Sequence, residues 1–208
     1  MALAPEDMDF ISNFSTLWAV FLGAILATLG GFAATQMEWY LDHKRRERNA
    51  ALFFGEVLAT LSIILGMAER TRQIGDPFGP ITMRMFRSAL GEIEIYNRNR
   101  ETLYDISKPD LRARIHTLIL RITMSIDGIS DTTTTLVMLE PQLEDTTAPA
   151  ERARLEARIA LLKQNRQGAC EFVQESADNL KIAIRELEPI ANFSYEQIEK
   201  AVRNNADL

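Results

Sequence analysis

Residues 14–35 read FSTLWAVFLGAILATLGGFAAT, and this run decides how the rest of the chain is read. It lies within residues 10–37, a stretch of 28 residues without Lys, Arg, Asp, Glu or His in a chain that is 25% charged. A charge in hydrocarbon is costly and apolar surface in water is unfavourable, so an uncharged run of this length is suited to lipid. About 20 residues at a rise of ~1.5 Å each cover a hydrocarbon core of ~30 Å. The aromatic spacing agrees. Trp18 and the Trp39-Tyr40 pair stand 21 residues apart, roughly 31 Å along a helix. That spacing brings indole rings to both membrane interfaces, where amphipathic rings are favoured. The expectation is one transmembrane helix over residues 14–36, preceded by a short extracytoplasmic segment, residues 1–13. A cleaved leader would have a basic start and a shorter apolar core, whereas this start carries Glu6, Asp7 and Asp9.

Direction follows from Lys44, Arg45, Arg46 and Arg48, just past the span. Short flanks rich in Lys and Arg stay in the cytoplasm. The chain is therefore expected in a bacterial inner (plasma) membrane, with its N-terminus outside and its long C-terminal part in the cytoplasm. Inside the span, Ala19, Gly23, Ala27, Gly31 and Thr35 recur every four residues and share one helical face. Small residues on one face let helix backbones approach closely in lipid, so this stripe reads as a packing seam. The expected partners are the lipid bilayer and other membrane-protein subunits, or a second copy of the chain.

A second apolar run follows at residues 50–68, AALFFGEVLATLSIILGMA, with Glu56 as its one charge. As a second span it would place everything after it outside. The favoured reading makes it part of a stalk helix within a juxtamembrane basic segment, residues 37–74. A carboxylate well inside a span costs ~2.5–3.5 kcal/mol. Gly55, Ala59, Ser62, Gly66, Glu69 or Arg70, and Gln73 also form a small-to-polar stripe, the mark of a helix with a wet or closely packed face. No proline or glycine pair interrupts residues 37–48, so anchor and stalk are expected to be one helix.

Residues 75–80, GDPFGP, break any helix and open a helical domain expected over residues 83–205. Thr82 is expected to cap a helix whose apolar face is Phe86, Leu90, Ile93 and Tyr96 or Asn97, running to about Tyr104. Ser107, with Pro109 in the first turn, is expected to cap the next. Its face is Leu111, Ile115, Leu118, Ile122, Ile126, Ile129, Thr133 and Leu136, and the threonines at 132–135 are expected to weaken its end. Residues 141–149 read as a polar turn. Beyond it, Leu155, Ile159, Leu162, Arg166, Ala169, Val173, Ser176, Leu180, Ala183 and Leu187 alternate four and three apart, a coiled-coil seam with two polar members. Pro189 is expected to stop this helix, and Ser194-Tyr-Glu-Gln197 reads as a capping box for a short final one. No strand-like alternation runs over a useful length. The fold class is therefore all-α: a single N-terminal transmembrane helix followed by a cytoplasmic antiparallel bundle or coiled coil of long helices.

The search for chemistry is mostly negative. Five acids and no bases lie in residues 1–42, while the other 24 acids and all 23 bases fall later, so there is no basic domain to suggest a nucleic-acid partner. The single cysteine, Cys170, forms neither an internal disulfide nor a metal cluster. There is no phosphate loop, HExxH, CxxC or nucleophile elbow. His43 falls in the basic flank, and His116 reads as a helix-surface residue. Asp127 and Asp131 share a helix face without the ExxH partner of a di-metal site. No catalytic residue, cofactor or metal is expected.

An N-terminal span, a basic flank and a helical domain with an early Glu, here residues 14–35, 44–48 and Glu56, resemble the layout of a loose set of bacterial membrane proteins. The resemblance is architectural and implies no activity. Two functions are expected from the surfaces: a non-catalytic scaffold or accessory subunit, or a signalling device whose helices change packing on a stimulus.

Overall fold

A computed structural model describes the backbone of residues 5–196 and the side chains of residues 18–196. The chain divides into two compact units, Met1–Arg45 and Arg46–Leu208. Every regular element among the described residues is helical: α1 Pro5–Ile74, α2 Pro80–Arg98, a 3₁₀ turn Arg100–Asp105, α3 Pro109–Asp145 and α4 Pro149–Ala191. Three of these helices carry proline in their first turn, where the missing N–H is an orphan anyway and the fixed φ suits the helix.

The first unit is the N-terminal part of α1, whose backbone is already helical at Pro5, well before the expected entry to the span. Within its apolar run the hydroxyls are satisfied locally. Thr28 donates to the Ala24 carbonyl at 2.8 Å and Thr35 to that of Gly31 at 2.9 Å. Such i−4 bonds let threonine sit in surroundings without water.

The second unit is built on one core. Residues 46–74 of α1 contribute Ala51, Phe54, Leu58, Leu61 and Leu65, which pack with Phe86, Ile93 and Tyr96 of α2, Ile115, Ile122, Ile126 and Ile129 of α3, and Leu180, Ala183 and Leu187 of α4. Leu136, Leu139 and Ile159 form a smaller cluster between the far ends of α3 and α4. Pairings give the directions. Arg114, Arg121 and Glu140 of α3 meet Glu186, Glu175 and Lys163 of α4, so these helices run antiparallel. α1 runs antiparallel to α4, with Arg48 Nε donating to the Ala191 carbonyl at 3.1 Å and Arg72 to Gln167 at 3.3 Å. It also opposes α2: Thr71 meets Thr82 at 3.1 Å, and Phe54 meets Tyr96 with ring centroids 5.7 Å apart.

Several boundary expectations are corrected. Thr82 does not cap α2. Gly79 does, and Thr82 is buried one turn in, its hydroxyl shared with Thr71. Lys108, not Ser107, occupies the cap of α3 in extended conformation, without a side-chain capping bond. The Ser107 N–H instead donates to Glu47 Oε1 at 2.9 Å. α2 ends at Arg98, and a separate 3₁₀ turn covers the rest of the way to Asp105. α3 continues past the threonines at 132–135 to Asp145, and Thr133, Thr134 and Thr135 each bond the carbonyl four residues back. Pro141 and Pro189 sit inside α3 and α4 rather than ending them. A helical proline frees the carbonyl four residues earlier. Here those residues are Val137 and Arg185, both exposed, so water is at hand for the freed groups. α4 ends instead at Asn192, which adopts φ 51° in the left-handed region that asparagine tolerates. Most of the expected final helix lies outside the described residues.

Candidate functional site

All of residues 18–45 are exposed, including the five stripe residues Ala19, Gly23, Ala27, Gly31 and Thr35. Nothing lies within 4 Å of a Cβ added at Gly23, Gly30 or Gly31, so the stripe is uncovered in the single chain. The interface residues make local ring contacts. Trp18 meets Phe21 edge-on at 5.7 Å, Trp39 stacks on His43 at 5.7 Å, and the Lys44 ammonium lies 5.0 Å from the centre of the Tyr40 ring. Tyr40, Arg45 and Arg46 are exposed, as is Arg48 at the start of the second unit. Among described helices α1 alone is long and apolar enough to cross a membrane.

Residues 50–68 are of a different kind. Ten of these nineteen are buried, and only Glu56, Gly66 and Met67 are exposed. The small-to-polar stripe expected here divides along its length. Gly55 is closely packed, because a Cβ added there would overlap the ring of Tyr195. Ser62, Gly66, Glu69 and Arg70 instead line a cavity of about 380 Å³ shared with Cys170, Gln174 and Lys181 of α4.

Tyr195 was invisible to periodicity, since it follows the last long helix. It folds back so that its hydroxyl donates to the carbonyls of Ala51 at 2.9 Å and Leu52 at 3.2 Å. Glu188 holds it there, accepting the Tyr195 N–H at 2.9 Å and the Ser194 hydroxyl at 3.2 Å. Burial pushes the phenol up to about 12, with the carboxylates of Glu56 and Glu188 adding to the rise.

The ten seam residues of α4 are all buried or half-buried. Ile159, Val173, Ser176, Leu180, Ala183 and Leu187 are fully buried; Leu155, Leu162, Arg166 and Ala169 are partly so. Arg166 has a partner that the seam did not suggest: its guanidinium lies 3.7 Å from the centre of the Phe78 ring, in the loop before α2. Arg72 approaches the same ring at 5.6 Å while pairing with Glu69 at 2.9 Å. Cation–π attraction of this kind strengthens when it is desolvated. Burial lowers the Arg166 pKa, against the opposing pull of Glu140. The Nε atoms of Arg72 and Arg166 and the Ser176 Oγ are buried without a hydrogen-bond partner among the described residues. Cys170, beside them, is buried, and burial pushes its thiol up to about 11, Arg72 opposing. It is a packed, protonated thiol at neutral pH.

Asp127 and Asp131 are both exposed on α3. Among the described residues, no group of three or more His, Cys, Asp or Glu side chains is placed to hold a metal ion. His116 is exposed on α3, as its reading as a helix-surface residue expects, and its Nδ1 lies 3.3 Å from the hydroxyl of the buried Tyr96. No protein-family model, curated protein or solved structure matches this chain.

Proposed function

We propose that the chain is a single-pass protein of a bacterial inner membrane, N-terminus outside, whose antiparallel helical bundle sits in the cytoplasm. There it acts as a non-catalytic scaffold or accessory subunit, joining a larger membrane complex or a homo-oligomer. The observation that carries this reading is the uninterrupted exposure of residues 18–37, an uncharged apolar stretch of helix that the described rest of its unit leaves uncovered. Monomeric soluble proteins rarely expose an apolar surface of this extent. Burial of residues 50–68 by the protein itself supports one span rather than two. The open glycines of the stripe suit a second transmembrane helix. Lys44, Arg45, Arg46 and Arg48 support the assigned direction, each adding about 1 kcal/mol at an anionic leaflet.

Membranes from expressing cells, washed in alkaline carbonate, are expected to retain the chain. A reporter fused to the C-terminus is expected to be active only in its cytoplasmic form. Release into the wash sinks the anchor, and an active periplasmic reporter sinks the direction. Affinity capture in mild detergent addresses the assembly role: co-purifying subunits or a defined oligomer support it, and a detergent-bound monomer counts against it.

A second reading, a signalling device that changes packing, is favoured by one observation. The Arg166 Nε and Ser176 Oγ atoms, at seam positions, are buried without a hydrogen-bond partner among the described residues, and such polar groups weaken a fixed arrangement. Replacing both with leucine is expected to hold one packing state; a cellular response that persists unchanged would remove this reading.

A further inference from the structure

A second cavity, of about 320 Å³, opens where the 3₁₀ turn meets the start of α3, lined by Arg100, Leu103, Tyr104, Pro109, Arg112, Ala113 and His116. Its polar wall is cationic and aromatic, and no carboxylate lines it. Several arginines on this body are matched: Arg98 by Glu94, Arg114 by Glu186 and Arg121 by Glu175. Arg100 and Arg112 are not, and neither has an ion pair among the described residues. Arg112 is held in place all the same. Its Nη1 donates to the Tyr104 carbonyl at 3.1 Å, and its guanidinium lies 5.5 Å from the centre of the Tyr104 ring.

His116 is prepared in a complementary way. His116 Nδ1 lies 3.3 Å from the hydroxyl of the fully buried Tyr96, and either group can donate. When the phenol donates, Nε2 carries the imidazole proton and is the donor left for the cavity. Glu101 and Asp105 on the turn and Asp110 in the first turn of α3 stand nearby, outside the cavity lining.

We infer that this cavity binds a phosphate group, with the guanidinium groups of Arg100 and Arg112 and the Nε2–H of His116 as its donors. Guanidinium pairs phosphate oxygens through parallel N–H bonds, which is why two unmatched arginines in one concave site favour this anion. The group has two sources: a soluble phosphomonoester or an anionic phospholipid headgroup. The lipid source rests on the membrane anchor proposed above, whereas the site itself does not. Pro109 of the cavity lining lies two residues after Ser107, whose N–H donates to Glu47 in the first turn of the body's share of α1.

The chain has two histidines, so an imidazole ¹⁵N spectrum reads His116 directly. The full chain is placed in phosphatidylcholine nanodiscs and titrated with glycerol phosphate at fixed pH and ionic strength, and separately compared in nanodiscs containing phosphatidylglycerol. A His116 Nε2 shift that saturates with glycerol phosphate identifies the soluble source; a shift confined to the phosphatidylglycerol discs identifies the lipid. In either case Arg100→Gln, at an exposed position, is expected to weaken the effect about tenfold, the loss of one charge-assisted bond. No His116 shift in either arm overturns the site, as does an unchanged response in Arg100→Gln. If the chain proves soluble without detergent, the anchor fails while the glycerol phosphate arm, run in buffer, still tests the cavity.

Discussion

Helix α1 contains two apolar runs of similar length and composition with opposite fates. Residues 18–45 are exposed throughout, whereas residues 50–68 supply Phe54, Leu58 and Leu61 to the interior of the second unit. Hydropathy does not separate them, because it measures what a residue prefers and not what surrounds it. The difference lies in the large apolar positions. In residues 50–68 Phe54, Leu58 and Leu61 are enclosed by the same chain and Gly55 packs on Tyr195, although Gly66 stays open. In the first run Phe21, Leu22 and Leu26 are exposed, and a Cβ added at Gly23 or Gly31 would meet nothing within 4 Å. An apolar helix thus becomes core or anchor according to whether its own chain provides the other half of the contact.

The sharpest way to break this comparison is to truncate one phenylalanine in each run. Phe54→Ala opens a cavity in a fully buried site and is expected to destabilise the body by about 3–5 kcal/mol. Phe21→Ala, at a position 56% exposed, is expected to change the same unfolding transition by less than about 0.5 kcal/mol. Thermal unfolding followed by circular dichroism in detergent measures both, and equal losses would mean the first run is also core.

A charge sharpens the contrast next. Leu26→Arg falls mid-run and is expected to cost ~2.5–3.5 kcal/mol of membrane insertion, lowering the carbonate-resistant fraction. Because Leu26 is exposed, unfolding of the body should stay the same. Glu56, in the second run, already carries its charge in an exposed position, so Glu56→Leu should leave membrane retention as it is.

A smaller effect concerns the Tyr195 clasp over residues 50–68. Tyr195→Phe removes the bonds to Ala51 and Leu52 and is expected to cost about 1 kcal/mol. The alkaline limb tests the same contact. Because the folded-state phenol is raised from 10 to about 12, the native state holds a proton that the unfolded state releases. Its contribution is complete below pH 10 and falls away as pH rises toward 12, so stability drops across that window. Tyr195→Phe should flatten that part of the profile in urea titrations, and an unaltered slope would show that the phenol is not held as described.

The smallest effect is a rate. With its thiol buried and raised to about 11, Cys170 should be alkylated by iodoacetamide at pH 8 only through opening of the body. Phe54→Ala should speed the reaction and Phe21→Ala should not.

Much of this architecture was legible beforehand. The faces of α3 and α4 follow from spacing alone, because a helix repeats its direction every 3.6 residues and the buried set, from Leu111 through Leu136, must repeat with it. Helix ends were read less well. Pro141 and Pro189 look like stops in one dimension, but whether a freed carbonyl is tolerated depends on which side of the helix meets water. Likewise Thr82 carries the chemistry of a cap yet is buried against Thr71, a neighbour set by the packing of α2 on α1. The cavity at Arg100, Arg112 and His116 left no mark in the sequence, since the turn and the helix that form it supply its residues at irregular intervals.

By itself the order of residues determined that the chain is helical, where its long helices turn inward, and that one stretch near the N-terminus has no charge to hold it in water. These are local properties, settled by periodicity and by the cost of placing a charge in an apolar medium. Tertiary structure alone decided which apolar run is enclosed by its own chain, that Arg166 finds the Phe78 ring, and that Tyr195 closes over Gly55. Such contacts join residues more than 80 positions apart, and no local pattern encodes which distant surface will arrive.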